Sequence, residues 1–300
     1  MKLTFNSLSG MDVNHGSAKI RAGLAKSPST VGIVGTRNMN GTLYTAFMRA
    51  QRKPETSDDR EVIQSHVLRP AMEGIIREFI AETRQKPRRI IVFRDGVSTG
   101  QFNAVLQKEM RTIDEVFEEI CGKRAPITFI TVQKRHDTRL FPNKVTLDWR
   151  GDEKQNPIAG TVVDNTMTGP GVWNFYLVSH EGIQGTSRPA HYTVLYDENK
   201  FSNDQLQNLA YYMCHLYSKC PRAVSLPAPQ YYAHHVAFRA AELGSYKLYS
   251  NDENNPNRGK SHFSRSKEDH ELEKEELRML EEYNKAITVD RNYAPSMFFL

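Results

Sequence analysis

The chain has 300 residues, 39% hydrophobic and 25% charged, an ordinary globular balance that excludes a collagen repeat or a disordered polyelectrolyte. Its longest apolar runs, such as Ile90-Ile91-Val92-Phe93, last a handful of residues, against the roughly 20 needed to cross a bilayer. Forty Lys and Arg face 35 Asp and Glu, and the last fifty residues hold 8 basic and 11 acidic of these, so the excess positive charge belongs to residues 1–250, where a phosphate backbone would be met.

The opening Met1-Lys2-Leu3-Thr4-Phe5-Asn6 has no long apolar core and is not a secretory signal. Cys121, Cys214 and Cys220 form an odd set without metal-type pairing, which suits a reducing compartment and predicts an intracellular protein.

Leu3–Met11, Val31–Thr36 and Leu43–Met48 are expected strands of an antiparallel meander, the last two joined through Asn40-Gly41, a hairpin signal. Residues 60–84 follow a helical period interrupted by Pro70, which predicts a kink or break there. Ile90–Phe93 has the all-apolar pattern of a central strand buried on both faces. Phe102, Val105, Leu106, Met110, Ile113, Val116, Phe117 and Ile120 recur at steps of three and four, which predicts one helix over Gln101–Cys121. Ile127–Val132 then returns as a strand, and the strand–helix–strand unit predicts a parallel pair.

Trp173–Val178 and His191–Tyr196 are further expected strands, and Ser202 with Gln205 forms a capping box before a helix. Another helix is expected over Tyr231–Leu243. Residues 250–265 lack an apolar period and predict a mobile loop, and the Glu- and Lys-rich stretch 267–285 predicts a solvated helix. The order of elements predicts an α/β domain with a mixed sheet, which is the order of RNase H-like folds.

The strongest chemical signal is Arg94-Asp95-Gly96-Val97-Ser98, directly after the buried strand, because α/β sheets bind ligands at the carboxyl ends of their strands. Asp12 follows the first strand, so the two carboxylates meet if those strands are neighbours, and paired hard oxygens favour Mg²⁺ or Mn²⁺. On the residues alone, a turn-capping Asp95 and a surface Asp12 is the plainer alternative.

Arg94–Ser98, Gln133-Lys134-Arg135-His136-Asp137-Thr138-Arg139-Leu140-Phe141, Gly182-Ile183-Gln184-Gly185-Thr186-Ser187-Arg188-Pro189 and Pro227-Ala228-Pro229-Gln230-Tyr231-Tyr232-Ala233-His234 resemble, in order, the PIWI domains of eukaryotic Argonautes. The likeness runs from about Ser7 to Leu300. It implies an RNase H-like fold over residues 1–300, with the N-terminal, PAZ and MID parts of full-length members outside this chain. It also implies guide-directed RNA cleavage leaving a 5′-phosphate and a 3′-hydroxyl, with a small guide RNA, a complementary target RNA and the MID domain as partners. The expected location is cytoplasmic, with the nucleus as a second compartment.

In slicing members an Asp–Glu–Asp–His tetrad holds two divalent ions. By the resemblance Asp12 is the first Asp, within Asp-Val-Asn-His-Gly where Asp-Val-Thr-His-Pro is usual, and Asp95 is the second. His234 matches the family His, while a helical step of about 100° turns the adjacent His235 elsewhere. Glu61, in Arg60-Glu61-Val62-Ile63-Gln64, is the chosen acid, although it stands about two residues further from Asp95 than the family spacing; Glu55 and Asp59 are the alternates, and a solvated helix terminus is the plain reading of any of the three.

Arg239 resembles the Arg that helps bind the guide 5′-phosphate, and Lys134, Arg135, Arg139 and Arg188 are expected nucleic-acid contacts, since planar guanidinium donors suit phosphate oxygens. The ending Met297-Phe298-Phe299-Leu300 resembles the family's buried carboxyl terminus beside the guide 5′ end. Glycine-tryptophan-repeat proteins bind animal Argonautes through apolar PIWI pockets, but Arg84-Gln85-Lys86-Pro87 lacks the expected aromatic, which weighs against that partner. Two rival functions stand beside the slicer: a guide-bound, non-slicing scaffold that silences through recruited proteins, and, less favoured, a generic RNase H or integrase.

Overall fold

Three strands come first: β1 (Ser7–Asn14), β2 (Ser29–Thr36) and β3 (Tyr44–Gln51), each antiparallel to the next. The structure, a computed structural model, describes residues 7–15, 28–53, 60–143, 146–147, 153–154, 156–165, 167–168, 171–182, 184–250, 269–289 and 297–300. Leu3–Asn6, Glu55, Asp59 and most of the expected 250–265 loop lie outside these residues. The connection from β2 to β3 is wider than a two-residue hairpin. Gly41 takes the left-handed φ of 67°, and the Asn38 side chain accepts from the Thr42 and Leu43 amides, which satisfies the loop backbone locally.

Helix α1 spans Ser65–Thr83 and runs through Pro70 without a break. Pro70 lies near the amino end, where the one carbonyl it deprives belongs to the exposed His66 and can turn to water. Residues 60–64 stay outside the helix, and Val62 and Ile63 are buried from a turn instead.

Strand β4 (Ile90–Asp95) is central and buried, and β5 (Ile127–Gln133) pairs with it in parallel as expected. The segment between them is not the single helix expected over Gln101–Cys121. A 3₁₀ turn at Thr99–Gln101 leads into α2 (Phe102–Val105), a π-helical turn at Leu106–Met110 and α3 (Arg111–Cys121). The wide turn changes which residue faces inward, burying Glu109 completely while Met110 is only half-buried.

Four short or late strands follow, β6 (Thr146–Leu147), β7 (Glu153–Lys154), β8 (Thr161–Val163) and β9 (Asn174–Val178), and then β10 (Ala190–Asp197). The main sheet has eight strands in the order β3-β2-β1-β4-β5-β10-β9-β8, parallel at its centre and antiparallel on both sides. Helix α4 (Asn203–Cys214) begins with both arms of the Ser202–Gln205 capping box. Helix α5 (Ala228–Ser250) is longer at each end than Tyr231–Leu243, and α6 is Asp269–Ile287.

Two apolar layers flank the sheet. Met11, Val13, Ile33 and Val92 pack with α1 and α3 on one face, and Leu8, Phe93, Val132 and Val34 pack with α4 and α5 on the other. Strand β3 would be an open edge, but the Asn284 side chain of α6 both donates to and accepts from the Ala50 backbone, which closes one stretch of it. Cys121, Cys214 and Cys220 are free thiols. Among the described residues no helix is long and apolar enough to cross a membrane.

Candidate active site

Asp12 and Asp95 sit side by side because β1 and β4 are parallel neighbours whose last paired residues are Met11 and Arg94. Each Asp is one residue further on. Side chains alternate along a strand, so both carboxylates leave the sheet on the α5 face while Met11 and Arg94 point to the opposite one.

Helix α5 closes over them. Gly10 and Gly32 face it, and a Cβ on Gly10 would lie 2.0 Å from the Pro229 carbonyl oxygen, so only glycine permits this approach. The Thr30 hydroxyl also donates to the Ala237 carbonyl at 2.9 Å, tying β2 to the same helix. His234 is thereby brought over β1, with its Nδ1 2.9 Å from Asp12 Oδ2. Ligand atoms of Asp12, Asp95 and His234 all lie within 4.8 Å of one another. The adjacent His235 turns away, as helical geometry requires, and its Nε2 meets the Tyr217 hydroxyl at 2.7 Å.

The electrostatics mark a site short of positive charge. The Asp95 carboxyl is pushed up to about 6 by burial and then by the facing Asp12 carboxylate, against the opposing pull of His234, the Gln230 amide and the Gly96 N–H. The His234 imidazole, though half exposed, is raised by its hydrogen bond to Asp12 against a partial desolvation that lowers it. Two carboxylates and an imidazole converging in this way fit Mg²⁺ or Mn²⁺, since such an ion would relieve the repulsion between the two acids.

Glu61 stands at the edge of this group and outside the 4.8 Å cluster. It comes from the turn before α1, and its Oε2 approaches the Asp95-Gly96 turn so closely that a Cβ on Gly96 would be 3.2 Å away. Its other oxygen meets His15 Nε2 at 2.7 Å, and His15 Nδ1 meets the Ser29 hydroxyl at 3.0 Å. Sequence reasoning missed His15 and Gln230 as members of the site. Nothing in the spacing signals either, because His15 lies beyond the last paired residue of β1 and Gln230 arrives from α5.

The basic residues fall in three places. Lys134 donates to the Ser225 hydroxyl, and burial followed by the nearby Arg188 charge lowers its affinity for its proton. His180 is lowered by burial and then by Lys134. Among the described residues no carboxylate offsets either effect, so Lys134, His180 and Arg188 form a basic group suited to an anion. Arg135 is exposed and close enough to disfavour charge on His234, whereas Arg139 is held by the His136 and Thr138 carbonyls. Arg239, well round α5 from His234, lines a cavity of about 270 Å³ with Leu243, Ile287 and Phe298. The chain end docks here too, with Phe299 buried against Tyr232 and Leu300 packed in the same cluster.

A mixed eight-strand sheet with Asp12 inside β1 and Asp95 at the end of the adjacent parallel β4, and a helix laying a His over them, defines an RNase H-like fold of the PIWI kind. The Piwi domain family matches residues 3–244, and the chain belongs to that family. It is similar to the C-terminal lobe of a budding yeast Argonaute, with 24% identity and a TM-score of 0.76 over 98% of this chain and 54% of that one. Kluyveromyces polysporus Argonaute with a guide RNA gives the same identity and score over 98% of this chain and 30% of that chain. Drosophila Piwi gives 26% and 0.65 over 80% and 30%. The chain therefore spans about half of the first solved chain and under a third of the other two.

Proposed function

We propose that this Argonaute-family PIWI domain is the cleaving part of a guide-directed RNA endonuclease. The observation that carries the reading is the convergence of Asp12, Asp95 and His234 within 4.8 Å, with an Asp95 carboxyl that burial and Asp12 push up to about 6. Asp12, Asp95 and His234 would hold Mg²⁺ or Mn²⁺, with Glu61 completing the set. Bound there, a pair of such ions would supply activation of the attacking water and stabilisation of the leaving sugar oxygen.

The chain's own residues do the rest. Gln230 and the Gly96 N–H orient Asp95, while Asp12 orients His234. His15 holds the Glu61 carboxylate from the side of β1. Lys134, Arg188 and the exposed Arg135 bind backbone phosphates of the nucleic acid, and Arg239 with the docked Leu300 end binds the guide 5′-phosphate together with a MID domain. The solved Argonaute that carries a guide RNA supports a small guide as the ligand of this chain. A complementary RNA is the substrate, cut to a 5′-phosphate and a 3′-hydroxyl.

The test is a cleavage assay on end-labelled RNA complementary to a loaded guide, with and without divalent ion. Cuts at one position that vanish on chelation support the slicer. Retention of guide and target without cutting selects the non-slicing scaffold.

A further inference from the structure

Arg94 and Glu109 form an ion pair with both side chains fully buried, Arg94 Nε lying 3.0 Å from Glu109 Oε2. Removing two opposite charges from water costs several kcal/mol per ion, so such a pair is poor evidence for stability and invites another explanation. Its other bonds supply one. Glu109 Oε1 accepts from the Ile63 amide at 2.8 Å, and the Arg94 guanidinium donates to the carbonyl oxygens of Glu61 and Asp95. The turn that carries Glu61 is thus gripped on both sides of one residue, at its own carbonyl by Arg94 and two residues on by Glu109. Only the π-helical turn at Leu106–Met110 makes this possible, because it puts an acid into the inward face of the helical segment.

We infer that Glu109 is a positioning residue, which acts with Arg94 to fix the backbone of the Glu61 turn beside Asp95. Its carboxylate bonds Arg94 and the Ile63 amide rather than Asp12 or His234, and its effect on the site runs through Glu61. Residues 60–64 lie outside any helix or strand, and Gln51 of β3 holds only their far end, donating to the Val62 carbonyl and accepting from the Gln64 amide. Without the Arg94–Glu109 grip the Glu61 end of the turn could leave the Gly96 edge. The inference rests on the cleavage reading for its consequence, but the grip itself is independent of that reading.

Two variants test it in the guide-loaded protein: Glu109→Gln, and the double change Arg94→Met with Glu109→Met, which leaves no unpaired buried charge should the single change unfold. Amide hydrogen exchange over residues 60–64 rises at least about tenfold in both, with β4 and β5 still protected. Cleavage falls to within about threefold of Glu61→Gln, and adding Glu61→Gln to either variant lowers it no further, because both changes remove the same placed carboxylate. Unchanged exchange at 60–64 overturns the inference, and so do losses that multiply with that of Glu61→Gln. A wild-type protein that retains guide and target without cutting would sink the slicer reading, and the exchange result would still decide the grip.

Discussion

Gly32 of β2 lies directly beneath Ala233 of α5, where a Cβ would stand 2.2 Å from the Ala233 carbonyl oxygen and 2.5 Å from the Ala237 nitrogen. These are backbone atoms that no rotamer change can move aside. The closeness brings the next residue of α5, His234, to Asp12.

Gly32→Ala is therefore expected to lift α5, costing about 1–3 kcal/mol of stability as an overpacked core position. Mn²⁺ binding weakens at the same time. Gly122→Ala is the control: its φ of 71° carries strain of about 1 kcal/mol, but the added methyl meets open space far from the site. Urea unfolding with a Mn²⁺ titration by electron paramagnetic resonance separates the two. Equal Mn²⁺ affinity in both variants would show that the α5 approach does not set the site.

A second expectation follows from the raised Asp95 carboxyl. The folded-state value of about 6 exceeds the ordinary 3.8, so the folded protein holds this proton more tightly than the unfolded chain does. The resulting penalty is absent below about pH 4, grows between about 4 and 6 and is complete above that. In chelator-treated protein Asp95→Asn should then raise stability at pH 7.5 by about 1–2 kcal/mol, a figure discounted because Asp95 reaches solvent, and give no gain at pH 4. Thermal melts at the two pH values check this, and a gain of the same size at both would refute the electrostatic cause.

The centre of the fold was legible because its physics is local. Four apolar residues ending in Arg94-Asp95-Gly96 mark a buried strand and its rim, and the parallel pair β4–β5 follows from the helix between them. The register that sets Asp12 beside Asp95 was not legible, since β2, β3 and α1 come between β1 and β4 in the chain. Glu109 was invisible for another reason. A Glu in an amphipathic helix ordinarily faces water, and the stripe through Leu106 and Met110 fits an unbroken helix, so no period betrays a π turn. Thr161–Val163 was missed because three residues are too few to show alternation. Among the candidate acids, Glu61 came from likeness to a family, and its spacing to Asp95, about two residues longer than the family's, is what kept Glu55 and Asp59 as alternates.

Arg239 should act on guide retention rather than on cutting. It lines the cavity beside the docked chain end with Leu243, Ile287 and Phe298, none of which belongs to the Asp12 group. Arg239→Ala in the guide-binding protein is expected to weaken retention of a 5′-phosphorylated guide and to reduce the slope of log affinity against log salt by about one. Filter binding across a salt series measures it. An unchanged slope would remove Arg239 from the phosphate site.

The final expectation concerns Glu61, whose carboxylate bonds His15 and borders Gly96 without entering the tightest cluster. Glu61 Oε2 already faces the Asp95-Gly96 turn, and its backbone is gripped through Arg94 and Glu109. Glu61→Gln keeps the shape and the contact with His15 but removes the charge that helps to hold and orient a divalent ion. Single-turnover cleavage should fall by about 100-fold, with part of the loss recovered at high Mg²⁺, while guide loading and target pairing persist. Glu55→Gln, made in the same protein, should cut at close to the normal rate. The opposite pattern, with Glu61→Gln near normal and Glu55→Gln inactive, would move the fourth ligand to Glu55 and leave Glu61 as a partner of His15 alone.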